Sequence, residues 1–101
     1  MIKLALFARL EAQAGKEADV EKFLKAGLAM ANEEPTTLAW FALRLSPTTF
    51  AIFDAFQDEA GRQRHLNGPI AQALTAKWHE LFVGTLKIEP IEVLGHKYSA
   101  A

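Results

Sequence analysis

The sequence contains no cysteine. Disulfides and thiolate chemistry are therefore excluded, and nothing in it speaks to a redox compartment. It also lacks a charge excess. Its 11 Lys and Arg stand against 12 Asp and Glu, a formal net charge of −1, so nucleic acid has no electrostatic footprint to bind. No apolar run approaches the ~18 residues of a membrane span. No glycine-rich phosphate loop and no Gly-x-Ser-x-Gly elbow is present. His65, His79 and His96 are scattered, without the carboxylate–histidine spacing of a metal site. Internal repeats, low-complexity segments and linkers are absent too. The opening MIKLALFARLEA has a lysine and a short apolar run in the manner of a secretory leader, but Arg9 and Glu11 interrupt it. We read it as a first strand, and a cytoplasmic location is the default expectation.

What the chain does have is apolar material. Its 101 residues make one domain, residues 1–101. A chain of this size buries a little over ~60% of its unfolded surface, which leaves a thin core. Yet half its residues are hydrophobic and seven are Phe. That is more than a thin core requires and points to burial against a partner.

One stretch organises the rest, TTFAIFDAFQDEAGRQRHLNGP from Thr48 to Pro69. It reads as a strand running straight into a helix. Before it, Ile2 to Ala12 is a strand apolar across most of both faces, and Ala14-Gly15 is a turn. From Lys16 to Ala31 a stripe of Val20, Phe23, Leu24, Gly27, Leu28 and Ala31 marks an amphipathic helix. Gly27 in that stripe costs roughly 1 kcal/mol of helix propensity. It either fills a tight helix–sheet contact or lets a strand or ligand approach closely. Thr36–Leu45 and Thr48–Gln57 form an antiparallel hairpin about Ser46-Pro47. Asp58 is an N-cap, with Glu59 in the first turn of its helix. Asn67-Gly68-Pro69 breaks that helix and starts another, Ile70 to Val83. The last strand, Thr85 to His96, carries Pro90, which suits an edge or a bulge.

The order β-α-β-β-α-β predicts the α+β, ferredoxin-like arrangement: a four-stranded antiparallel sheet with its helices on one face. The other face should be polar in a monomer, but neither alternating set in the first three strands is. Such a face spans roughly 500 Å² in projection, a large apolar patch for a soluble monomer. We expect a homodimer whose sheets stack face to face. The rival is a monomer with an unusually apolar surface.

The passage FDAFQDEAGRQRHLNGPIAQAL, the strand AWFALRL and the order of elements resemble the dimeric α/β-barrel superfamily. Within it they are similar to the antibiotic biosynthesis monooxygenase domain family, which includes quinol monooxygenases, over nearly the whole chain. The resemblance implies a compact dimer with a hydrophobic pocket between sheet and helices in each subunit. It further implies oxidation of a small aromatic, quinol or polyketide-like substrate by molecular oxygen, with no cofactor, metal or flavin. The chemistry is economical: an electron-rich phenolate reacts with oxygen once a base removes its proton and an apolar pocket excludes water. The haem-degrading branch depends on an asparagine and a Trp/His pair. The matching positions here look like Ala8, His65 and Thr75 and depart from that pattern, so haem oxygenation is not expected. The alternative function is a non-catalytic dimeric barrel that binds a small hydrophobic ligand.

Candidate residues follow. His65 is the proton acceptor, since histidine titrates near neutral pH; otherwise it is a half-buried ring bonded to carbonyls at the helix break. Trp40 and Phe41 point to opposite faces of their strand, one toward the pocket and one toward a dimer partner. Arg44 shares a face with Trp40 and could orient an anionic oxygen or sit at the surface. Asp54 is charged on an otherwise apolar strand face and needs a partner; Arg44, Arg9 or His65 could serve. Trp78 and Phe82 belong to the final helix stripe and are expected to be core that also lines the pocket.

Overall fold

The computed structural model describes residues 1–97. Its elements are β1 (Leu4–Glu11), α1 (Glu17–Ala31), β2 (Ala39–Arg44), β3 (Thr49–Phe56), α2 (Glu59–Leu66), α3 (Pro69–Leu81) and β4 (Ile88–Glu92). The strands form one antiparallel sheet in the order β2-β3-β1-β4. This is the expected ferredoxin-like topology. The second helical segment is divided at Asn67-Gly68-Pro69, as the sequence indicates.

Local chemistry explains the boundaries. The Asp58 carboxylate accepts from the Gly61 N–H at 2.9 Å and caps α2. Pro69 occupies the first turn of α3, where its missing N–H costs nothing. Pro90 lies in β4, an edge strand. Two strands are shorter than expected. β2 begins at Ala39 because Thr37 is drawn into a turn, its N–H donating to Glu34 O. β4 begins at Ile88, opposite Ala8, because the chain first leaves the sheet at Val83, whose N–H donates to Glu11 O. The third helix ends at Leu81 and not Val83, since Phe82 is extended and bridges to Ala12.

The sheet's two faces differ. Leu6, Ala8 and Leu10 of β1 and Phe50, Ile52, Asp54 and Phe56 of β3 point toward the helices. There Val20, Leu24, Leu74, Trp78, Leu81 and Phe82 complete the core. The far face carries Ala5, Phe7, Ala39, Phe41, Leu43, Ala51, Phe53, Ala55 and Ile91, by alternation along the paired strands. Its small residues are covered by their neighbours, but Phe41 is 53% exposed and rests on Phe53 with ring centroids 6.2 Å apart. Arg9 on this face is exposed, so the first strand is fully buried only on its helix side. Gly27 serves the helix–sheet contact: a Cβ there would stand 3.2 Å from the Trp40 ring. No helix among the described residues is long and apolar enough to cross a membrane.

Candidate functional site

Asp54 sits in the middle of β3, with Leu6 opposite it on β1 and Trp40 opposite it on β2. It faces the helices and is 2% exposed. A carboxylate so buried must be compensated. α2 supplies the compensation. The capped start at Asp58 sets the helix phase, and the last turn carries His65 over the sheet, 7% exposed. Its Nε2 lies 2.9 Å from Asp54 Oδ2. Its other nitrogen, Nδ1, lies 2.8 Å from Glu34 Oε1. Glu34 belongs to the turn after α1 and is fixed there by the Thr37 hydroxyl, which donates to the same oxygen at 2.8 Å. Gly68 leaves room for this arrangement, since a Cβ there would stand 3.3 Å from Glu34 Oε2.

The ring is thus bracketed by two carboxylates, not by the carbonyls of the helix break. Both nitrogens meet acceptors, an arrangement that only the doubly protonated imidazolium satisfies with two donors. Burial opposes the charged ring, but the hydrogen bond and charge of Asp54, then those of Glu34, outweigh it and raise the His65 pKa above its usual value. The Phe56 ring, with its centroid 5.4 Å from that of the imidazole, packs beside the cation.

One cavity lies beside the pair. It is lined by Asp54 and His65 with Leu6, Ile52, Leu66 and Ile70 among its apolar walls, and holds about 30 Å³. Asp54 Oδ1 and, at the other end of the network, Glu34 Oε2 are buried and have no hydrogen-bond partner among the described residues. On the opposite side, His65 and Glu34 border an open groove with Met30, Pro35, Arg64 and Pro69. The network therefore spans from the interior cavity to the surface. With both carboxylates ionised and the ring protonated, it carries one unneutralised negative charge. That excess and the unpartnered oxygens, of which Asp54 Oδ1 belongs to the residue lining the interior cavity, favour an incoming proton donor. The three side chains meet at the two ends of one ring instead of converging on a point, and no cluster among the described residues could hold a metal ion.

The remaining candidates are placed as follows. Trp40 lies on the helix side, in a second cavity of about 50 Å³ that shares Ile52, Ile70 and Leu74 with the first. Phe41 takes the outer face. Arg44 is on the helix side but near the other end of β2. There it pairs with Glu21, donates to Pro47 O at 3.2 Å and lies over the Phe50 ring. It borders neither the Asp54 cavity nor the Trp40 cavity. Trp78 and Phe82 stack on each other, with centroids 4.7 Å apart, and Trp78 donates to Gly84 O at 2.7 Å. They form core at the end of α3 and border neither cavity, contrary to the expectation that they line the pocket. The functional residue that sequence reasoning missed is Glu34. Its only signal was an acidic side chain between a helix end and Pro35.

The crystal structure of the NE2512 protein of unknown function from Nitrosomonas europaea is 53% identical to this chain. The match covers 100% of this chain and 98% of that one, with a TM-score of 0.95. A protein from Deinococcus radiodurans described as a "putative antibiotic biosynthesis monooxygenase" is 22% identical, covering 97% and 98% of the two chains, with a TM-score of 0.76. A second protein so described, from Nitrosomonas europaea, is 12% identical over 91% and 90% of the chains, with a TM-score of 0.81. No protein-family model and no curated protein matches the sequence.

Proposed function

The chain belongs to the family of the Nitrosomonas europaea protein NE2512 and shares its fold with proteins described as antibiotic biosynthesis monooxygenases; from this we propose that it is a cofactor-independent monooxygenase. Its substrate is a small aromatic, quinol or polyketide-like compound carrying an acidic hydroxyl. The observation that carries the reading is the Asp54 carboxylate, buried, with one oxygen on His65 and the other unpartnered beside an apolar cavity. Oδ1 takes the hydroxyl proton. His65, held by Glu34, orients Asp54 and offsets its charge, and the apolar walls keep water from the phenolate. A carbon of that phenolate then reacts with dioxygen. At an activated methylene, one oxygen atom stays as the new carbonyl and the other leaves as water with the two methylene hydrogens. At a ring C–H of a quinol, one oxygen atom stays as a new hydroxyl and the other leaves as water with the two hydrogens of the quinol hydroxyls, giving the hydroxyquinone. Histidine is thus the positioning residue here, and the aspartate is the acceptor.

Oxygen uptake with a panel of hydroquinones and hydroxyaryl methylene compounds tests this. Wild type should consume oxygen with at least one of them. Asp54→Asn should lose ~10²-fold or more of that rate, the scale of general-base catalysis. No uptake with any substrate, or uptake unaffected by Asp54→Asn, overturns the proposal. A second reading, a barrel that binds a hydrophobic ligand without chemistry, is favoured by one observation: Arg44 is tied to Glu21 and borders neither cavity. Ligand binding without oxygen uptake would select it.

The homodimer and a cytoplasmic setting belong to the same proposal. Phe41 and Phe53 on the outer sheet face, with Phe7 and Leu43 beside them, support stacking of two copies through that face.

A further inference from the structure

Two side chains on the helix-facing side of the sheet carry a buried polar atom without a partner among the described residues, and Asp54 Oδ1 is the first. The second is the indole Nε1 of Trp40, a buried donor with no acceptor among the described residues. A buried indole N–H ordinarily finds one, as that of Trp78 does at Gly84 O. Leaving it unmet costs on the order of 1–3 kcal/mol. The ring is nevertheless held in place, packed on Gly27, where any side chain would collide with it.

Trp40 and Asp54 are direct register partners across β2 and β3. Opposed residues of an antiparallel pair have Cβ atoms ~5 Å apart. Each borders its own cavity, of about 50 and 30 Å³, and the dividing wall is Ile52, Ile70 and Leu74. Alone, each holds little more than a water molecule. The residues that carry the unmet donor and the unmet acceptor are therefore register partners, and their cavities share an apolar wall.

We propose that the two cavities are halves of one ligand site. Its occupant is an aromatic compound bearing both a hydroxyl, donated to Asp54 Oδ1, and a neutral carbonyl oxygen, which accepts from Trp40 Nε1–H. This rests on Asp54 as the ligand's proton acceptor and adds the second anchor. A neutral oxygen suits the site because Trp40 offers a single uncharged donor and Arg44 is engaged elsewhere. Occupancy requires Ile70 and Leu74, which make no polar contact through their side chains, to give way on α3.

Calorimetric titration of the full chain with phenol, acetophenone, ethylbenzene and the 3- and 4-hydroxyacetophenones tests it. One hydroxyacetophenone should bind about tenfold tighter than phenol, the factor that one ordinary hydrogen bond gives. Trp40→Phe should abolish that preference. If phenol binding depends on Asp54 but the hydroxyacetophenones gain nothing, or keep their gain in Trp40→Phe, the Trp40 anchor is wrong and the Asp54 reading stands. If Asp54→Asn binds phenol as wild type does, the Asp54 reading fails. Trp40 is then judged by whether acetophenone outbinds ethylbenzene and loses that edge in Trp40→Phe. A crystal structure with one ordered water bridging Trp40 Nε1 and Asp54 Oδ1, retained when these compounds are soaked in, would also overturn the shared site.

Discussion

Replacing His65 by alanine removes the only cation from a chain of two buried groups, Asp54 and His65, and a partly buried one, Glu34. Asp54 would keep its place in the sheet, almost fully enclosed, with neither oxygen bonded. Glu34 would keep only the Thr37 hydroxyl. Breaking a buried pair by deleting one partner costs about 3–5 kcal/mol. For a domain of this length each kcal/mol moves the melting temperature by roughly 4–8 °C, so the variant should melt at least ~12 °C lower. The pH dependence has a definite sign. Because the folded protein raises the His65 pKa, it holds that proton more tightly than the unfolded chain does. The linked stabilisation is complete below the unfolded value of ~6.5 and is lost as pH rises through the folded one. Urea unfolding of wild type and His65→Ala should therefore show the largest gap near pH 6, narrowing through the alkaline range. His65→Gln, which keeps a neutral donor, should recover part of the gap and leave the remainder dependent on pH. A gap under about 1 kcal/mol, or one flat from pH 6 to 9, would refute the imidazolium bridge.

Light scattering on the eluting gel-filtration peak should give about twice the 11.2 kDa chain mass, and Phe41→Lys should shift it toward the monomer; an 11 kDa wild type sinks the stacked-sheet dimer. For a substrate phenol that titrates well above pH 9, kcat/KM should fall as pH rises through the His65 pKa, because the neutral ring has one N–H to share between Asp54 and Glu34 and no longer offsets the charge that develops on the phenolate. A rate that instead climbs over that range would return the acceptor role to His65.

The fold was legible because its signals are local. The helical stripe from Val20 to Ala31, the cap at Asp58, the Gly68-Pro69 restart and the edge proline at Pro90 each depend on a few neighbouring residues, and each reappears in the structure. Strand ends were less legible. β2 is shortened by Glu34, whose carbonyl takes the Thr37 N–H, a competition that β-propensity does not register. Gly27 was legible as a close approach, and its partner, Trp40, could be known only once β2 was laid under α1. For Trp78 the stripe correctly placed the ring in the core. The error was to equate core with cavity wall, when the Phe82 stack closes that end of the molecule.

In the proposed site, residue type alone does not fix a role. Histidine is the usual choice of base because its free pKa is near neutrality, but a base needs a lone pair that is free to take the proton. In this fold, contacts 11 and 31 residues away in sequence, Asp54 and Glu34, occupy both nitrogens. The same two contacts leave Asp54 with one bonded oxygen and one free. A carboxylate in that condition is fixed in orientation, partly neutralised and left with one unbonded oxygen, which are attributes that a buried acceptor requires. Trp40 differs in kind. Its polar atom is unmet because nothing in the chain reaches it, although its ring is tightly packed. Packing without a partner is costly for a purely structural residue, and its register partner Asp54 carries an oxygen with the opposite need. That pairing of needs, donor beside acceptor across a single register position, ties the recognition of a ligand to the same strand pair that holds the acceptor.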